Sequence, residues 1–383
     1  MTGSRRLELM EKIEVERKSL VVAYVVDGRP GSDGRIGPDA VEEMYRLLCG
    51  LKPLGKKPLD LFLVAHRGDL TVPWQFAGMI REMFDLFNVI IPHRAHGPAT
   101  MIALGADTII MGERGTLSPI EAFMPADFSP DGQTIENRAL SIEDAKALMS
   151  LMEGFGRMRE KQRIDAFVRM MEKIHPLLLG AMHKRFERTK ADCLGLLEKR
   201  KRRFGKKTNR KIVNNLLSDL ASQHHHITRS EASQSIGLKQ VRRDKALEPL
   251  FGELLALYEQ EFDSSGPPGA GLSQGFFQGE EAVFSNCKLA FMESSKKTRV
   301  LVEDRKAQKI REAAPTIRLD PQIILPALEI GPEIGDGEIW HFIEGWLQAN
   351  LPGLLDEAFV RFKKSLPVSG YQWTSINRRW VDE

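Results

Sequence analysis

Within IIPHRAHGPATMIALGADTIIM, residues 90 to 111, the side chains able to do chemistry are His96 and Thr100, on either side of a Gly97-Pro98 break. The stretch reads as an apolar strand, a tight turn, a short helix of small residues and a second apolar strand. A strand that stops at such a turn exposes one side chain beside free helical N–H groups, which is how many hydrolases hold a nucleophile. Gly97 has no side chain to present. Thr100 stands about one helical turn further on, so its hydroxyl is expected to bond backbone rather than attack. His96 would need a base within hydrogen-bond reach to serve in its place. Ser118 reads as a turn residue.

The elements that must position this turn follow from hydrophobic periodicity. LVVAYVV (20–26) is an apolar strand ending at the loop DGRPGSDGRIGP, and a helical pattern begins near Asp39. LDLFLVA (59–65), a helix through WQFAGMIREMFDLF, NVIIP (88–92), a short helix after Pro98 and DTIIM (107–111) repeat the alternation. Continuous apolar strands separated by helices predict an α/β fold with a parallel sheet covered on both faces. Beyond Ser141 the chain turns helical, with a long helix expected from about Arg163 to Arg203. Thr228 and Glu231 have capping-box spacing for a short helix closing near Gly237. ALEPLFGELLALYEQEF makes a further helix, AVFSNCKLAFMESSKKTRVLVED a strand pair, and Glu338 to Lys364 a helical segment.

Charge and cysteine content narrow the classes. Lys and Arg number 55 against 52 Asp and Glu, a net charge of +3, so the chain as a whole makes no case for nucleic acid or a membrane surface. Cys49, Cys193 and Cys287 lie far apart without metal-ligand spacing, which fits a reducing cytoplasm rather than a disulfide framework. No run is long and apolar enough for a membrane span, and the N-terminus lacks the apolar core of a signal peptide. The expected location is cytoplasmic. Locally, residues 184–211 concentrate positive charge, with Arg200, Lys201, Arg202 and Arg203 in succession. They are read either as a phosphate or acidic-partner contact or as a solvated helix face followed by a basic loop. His224, His225 and His226 are consecutive and do not converge on one ion as an i, i+4 pair does, so they read as a polar strand end. Asp27, Arg29 and Pro30 lie in a Gly-rich loop with no complete phosphate-loop pattern. No metal site and no cofactor is expected.

Three stretches together resemble one family: VVDGRPGSDGRIGPDAVEEMYRLL, the run from LDLFLVAHRGDL to GERGTLSPIE, and IHPLLLGAMHKRF. The chain resembles the serine dehydrogenase proteinases, relatives of the signal-peptide peptidase SppA and of ClpP within the ClpP/crotonase fold. The resemblance spans most of residues 20 to 240. It implies a serine at a strand-to-helix turn, with oxyanion donors from a glycine pair and from the residue after the nucleophile. Laid on this chain, the nucleophile turn falls on Gly97-Pro98-Ala99-Thr100 and the Gly-Gly-Asp loop on Arg67-Gly68-Asp69. Gly97 then cannot attack, Pro98 has no N–H to donate, and Arg67 replaces the first glycine, leaving Gly68 as the remaining contact. Glu121 falls where relatives carry an aspartate and His175 in a family motif. They read as a surviving acid–base pair, or as a loop closure and a helix-start residue before Pro176.

The expected organisation is a ClpP/crotonase-like domain over 1–262 with helical extensions, a linker over 263–279 and a small C-terminal α+β module over 280–383. The expected function is a serine peptidase homologue without activity, a pseudoprotease that binds peptide or protein as a scaffold. It is expected to assemble as a homo-oligomer or beside an active relative. Two alternatives stand: a hydrolase with a displaced nucleophile, and an adaptor for nucleic acid or an acidic partner through residues 184–211.

Overall fold

The chain is described by a computed structural model covering residues 2–51, 57–121, 146–148, 150–152, 159–173, 176–201, 203–219, 225–266, 280–311 and 368–383. His175, Arg202, His224 and the segment from Glu338 to Lys364 lie outside these residues. Helix α1 (Thr2–Arg17) leads into β1 (Leu20–Val26), α2 (Asp39–Cys49), β2 (Leu59–Val64), α3 (Val72–Met83) and β3 (Phe87–Ile91). There follow β4 (Arg94–Ala95), α4 (Pro98–Leu104), β5 (Thr108–Met111) and β6 (Thr116–Leu117). Helices α5 (Glu160–Lys173), α6 (Pro176–Glu198) and α7 (Lys206–Asn214) precede β7 (Ile227–Thr228), α8 (Arg229–Glu231), β8 (Val241–Arg242) and α9 (Glu248–Ser264). Strands β9 (Glu281–Ser294), β10 (Thr298–Arg311) and β11 (Val368–Asp382) complete the described elements.

The protein is α/β with a mixed central sheet in the order β11-β10-β9-β1-β2-β3-β5-β8. β1, β2, β3, β5 and β8 pair in parallel, whereas β9 runs antiparallel to β1, with Tyr24 opposite Met292. Every residue of β1 is buried, as a strand covered on both faces requires. Its alternation sorts the two cores. Val22, Tyr24 and Val26 pack in one cluster with Met44, Phe76, Ile102 and Leu196. Val21, Ala23 and Val25 pack in the other with Leu9, Ile13, Phe251 and Tyr258.

Two details of the expected helices change. The long helix ends at Glu198 rather than near Arg203, where Arg200 Nε turns back to donate to Leu197 O at 3.0 Å, supplying a partner to a terminal carbonyl. Helix α9 extends to Ser264, two positions into the expected linker, and residues 267–279 lie outside those described. The chain divides into two compact units. One unit comprises Met1–Gly271, Asn286–Glu303 and Arg378–Glu383, and the other Leu272–Ser285 and Asp304–Asn377. The β1–β9 register draws the second half of β9 into the first unit. In the second unit Phe284 and Trp373 meet at 5.8 Å between ring centroids, beside Ala282 and Ala307.

Candidate functional site

Parallel strands β2 and β3 end side by side, and the loops leaving them are tied by main-chain bonds. Ala65 N donates to Arg94 O and His96 N to Ala65 O, both at 2.9 Å. Next to this, Ile36 N donates to Arg67 O at 3.0 Å and Asp69 N to Ile36 O at 2.9 Å, forming a parallel bridge between Ile36 and Gly68. In a parallel ladder the bridged residue's own N–H and C=O face the opposite side. Gly68 therefore turns an N–H and a C=O away from Ile36, and neither has a protein partner among the described residues. The glycine is required by close approach: a Cβ there would lie 2.5 Å from Ile36 O. Arg67, beside it, donates Nε to Gly34 O at 3.2 Å.

Gly97 ends this loop and begins α4 with φ 54° and ψ −112°, a backbone region costly to any residue with a side chain. A Cβ built on Gly97 meets no atom within 4 Å. The turn thus holds open the volume of a side chain that is not there. Its N–H donates to Ser118 Oγ at 2.8 Å, and Ser118 Oγ donates to Pro119 O at the same distance. Pro98, at the first helical position, contributes no N–H. Thr100 is 0% exposed and gives its hydroxyl to Ala95 O at 2.7 Å, so it is spent on backbone.

Gly68, Gly97, Pro98, Arg67 and Glu121, all singled out by sequence, line one cavity of about 360 Å³. Its other lining residues include His66, Arg94, His96, Ser118 and His226. The structure thus brings five of the expected positions to one place. Thr100 is not among the lining residues, His175 lies outside the described residues, and Arg200 and Lys201 line a different cavity.

The imidazoles form a cluster. His66 and His96 lie 6.1 Å apart edge to face, and His96 and His226 4.9 Å apart. His96 Nε2 bonds Thr116 Oγ1 at 3.0 Å. Burial, reinforced by the positive Arg94, pushes His66 down to about 4, with the Asp27 carboxylate opposing. Burial and the neighbouring His226 and His66 take His96 to about 3, while burial with Arg114 and Arg94 takes His93 to about 4. These rings are neutral at pH 7 and serve as hydrogen-bonding groups. Gly28 allows the packing around them, since a Cβ there would sit 1.7 Å from His66 Nε2. Among the described residues no group of three or more His, Cys, Asp or Glu side chains is arranged to hold a metal ion.

Sequence reasoning passed over His66 and Arg94, and read Ser118 and His226 as a turn and a strand end. The small sheet β4-β6-β7 delivers most of them, pairing Arg94 with Thr116 and Leu117 with Ile227, so that positions 94, 118 and 226 converge. Two-residue strands carry no periodicity to detect.

The fold and site define an α/β protein with a cavity at the carboxyl ends of parallel strands, a usual place for ligands in such sheets. No family model matches the chain. Over 122 residues, 30% of its length, it is 30% identical to an uncharacterized protein of Methanocaldococcus jannaschii, and the match covers 42% of that protein. The chain spans less than half the length of this curated relative. No helix of the described residues is long and apolar enough to cross a membrane.

Proposed function

We propose that this chain is a catalytically silent homologue of the ClpP/crotonase-fold serine peptidases, keeping the groove and lacking the chemistry. The observation that carries the reading is Gly97: a turn lining the cavity in a conformation that favours glycine, with open volume at the Cβ position and no side chain to fill it. Pro98 removes the second oxyanion donor independently, a loss worth about 3–4 kcal/mol of transition-state stabilisation. Gly68 keeps its outward N–H and C=O, a donor–acceptor pair suited to the main chain of an extended peptide. The role this supports is capture or presentation of an extended segment by an assembly of such chains, with itself or with an active relative.

A displaced nucleophile is the weaker reading, because Thr100 is buried with its hydroxyl committed to Ala95 O. A fluorophosphonate probe followed by peptide mass mapping is expected to label no residue of 96–100, and casein-like substrates are expected to remain intact. Labelling of the wild-type turn would overturn the proposal. Gly97→Ser alone is expected to restore no turnover, since Pro98 still withholds its donor. The triple change Arg67→Gly, Gly97→Ser, Pro98→Gly is the variant in which hydrolysis could return.

A further inference from the structure

Arg94 opens the two-residue strand β4, and its carbonyl accepts Ala65 N, so its backbone is fixed where the β2 and β3 loops meet. Its side chain is half-buried and lines the cavity of Gly68 and Gly97. Together with His66 it also lines a neighbouring cavity of about 250 Å³. The Arg94 guanidinium forms no hydrogen bond and no ion pair among the described residues, and none of its nitrogens is sealed from solvent. The carboxylates nearby do not answer its charge. Asp27, 2% exposed, takes Arg29 Nε at 3.0 Å and Arg29 Nη2 at 2.9 Å, and Arg29 Nη1 reaches Asp263 at 3.3 Å. Glu259 is exposed beside the neighbouring cavity, and Glu121 lines the first; neither forms an ion pair with Arg94. Burial, with Arg94 among the repelling charges, keeps the rings of His66, His93 and His96 neutral.

A guanidinium held half out of water without a counter-ion attracts an anion more strongly than a fully solvated one, because the effective dielectric is lower. Its planar fork matches the two oxygens of a carboxylate. In the cavity of Gly68 and Gly97, Arg67 and Arg94 against Glu121 leave one positive charge in excess, to which the neutral His66 and His96 add nothing. One carboxylate balances that excess, whereas a doubly charged phosphate exceeds it. Gly68 turns its N–H and C=O away from Ile36 and lines the same space, offering a main chain the pairing that an extended peptide uses. We propose that this cavity takes an extended peptide by a carboxylate, with Arg94 pairing the carboxylate and Gly68 pairing the adjoining main chain. A free C-terminus and an Asp or Glu side chain present the same group. The volume of about 360 Å³ falls in the range of about 300–1,000 Å³ usual for small-molecule sites. The inference rests on the peptide-groove reading and adds to it a requirement for negative charge.

The test is calorimetric titration of the full chain, at fixed moderate salt, with three N-acetylated hexapeptides. They are Gly-Ser-Ala-Val-Gly-Ala as the free acid, the same peptide as its C-terminal amide, and the amide with Asp in place of Val. The free acid or the Asp-containing amide is expected to bind about tenfold or more tightly than the plain amide, a difference of about 1.4 kcal/mol. Whichever of the two gains identifies the source of the carboxylate. Arg94→Gln is expected to bring all three peptides to the affinity of the plain amide, and Arg94→Lys to restore part of the difference. The comparison of the three peptides on the unaltered chain decides the matter even if a variant fails to fold. Equal binding of all three would overturn the carboxylate requirement and leave the groove reading standing, whereas no binding of any at millimolar concentration would overturn both. A preference for the charged peptides that survives Arg94→Gln would overturn the role of Arg94. Displacement of the free acid by inorganic phosphate at lower concentration than by acetate would overturn the choice of carboxylate over phosphate.

Discussion

The two ends of the parallel strands handle unpartnered groups in opposite ways. At the carboxyl ends, three imidazoles are kept neutral by burial and by Arg94, and the unused groups include a main-chain N–H and C=O on Gly68. At the amino ends, Arg200 is buried with Nη2 lacking a hydrogen-bond partner among the described residues, and both side-chain amide atoms of Gln240 lack one as well. The first end gives up titratable charge and keeps backbone geometry. The second keeps a buried guanidinium, with the Asp107 carboxylate as its opposing charge. A groove for neutral main chain suits the first, and a buried packing role suits the second.

The largest effect expected from this contrast is on acid stability. The folded-state values of His66, His93 and His96, about 4, 4 and 3, lie below the ordinary 6.5. Below pH 6.5 the unfolded chain takes up protons that the folded chain refuses, so stability is intact above 6.5 and falls as pH drops through the window toward 4. Urea unfolding between pH 6.5 and 5 is expected to show a slope approaching three protons at the acid side. His66→Gln and His96→Gln should each reduce it by about one, whereas Lys239→Ala at the other end should leave it unchanged. A flat profile would mean that the imidazoles are free to protonate.

The next effect is steric. Gly68→Ala places a Cβ within 2.7 Å of three Ile36 atoms, Ile36 O, Cβ and N, two of them backbone. The loss is expected to be about 3 kcal/mol by denaturant unfolding. A loss under about 1 kcal/mol would show that the 36–68 bridge is loosely held, and with it the main-chain pair offered to a peptide.

How much of this was legible from sequence differs between the two ends. Strand β1 and the start of α2 match the expected Leu20 to Val26 and Asp39, because apolar runs bounded by Gly and Pro leave little choice. The Thr228 cap is present, its hydroxyl accepting Glu231 N at 3.4 Å, and Gly237 closes the turn at φ 91°. At the carboxyl ends, Gly97 was visible because a turn between strand and helix is a local pattern, and Gly68 only through the family resemblance. His66, Arg94 and His226 were not, since their convergence depends on isolated bridges and two-residue strands. At the amino ends almost nothing was visible. Arg200 sits in KRKRRF, where composition alone indicates solvent, and Gln240 joins it only through the β5–β8 pairing. Burial of a charge is a tertiary fact.

A third, smaller effect distinguishes the buried charge from ordinary packing. Replacing a buried ion by an apolar side chain of similar length removes its desolvation cost. Arg200→Met is expected to raise stability by about 1–2 kcal/mol, read by denaturant unfolding. Destabilisation by more than about 1 kcal/mol would show instead that the stack of Arg200 on the Phe204 ring, 4.2 Å from its centroid, and the bond to Leu197 O stabilise the fold more than the buried charge costs.

The smallest expected effect returns to the carboxyl ends and separates the two glycines. Gly97→Ser introduces a Cβ that meets nothing within 4 Å, so no packing term opposes it. What remains is the backbone cost of a side chain at φ 54° and ψ −112°, about 1 kcal/mol. Its stability should therefore fall by about 2 kcal/mol less than that of Gly68→Ala, although both change a glycine lining the same cavity. Equal losses would show that the space at Gly97 closes in solution, and the turn would then no longer be a place prepared for a side chain. A small loss with a new serine that still refuses the fluorophosphonate probe would separate room for a nucleophile from the base and oxyanion donors it needs, of which Pro98 withholds one.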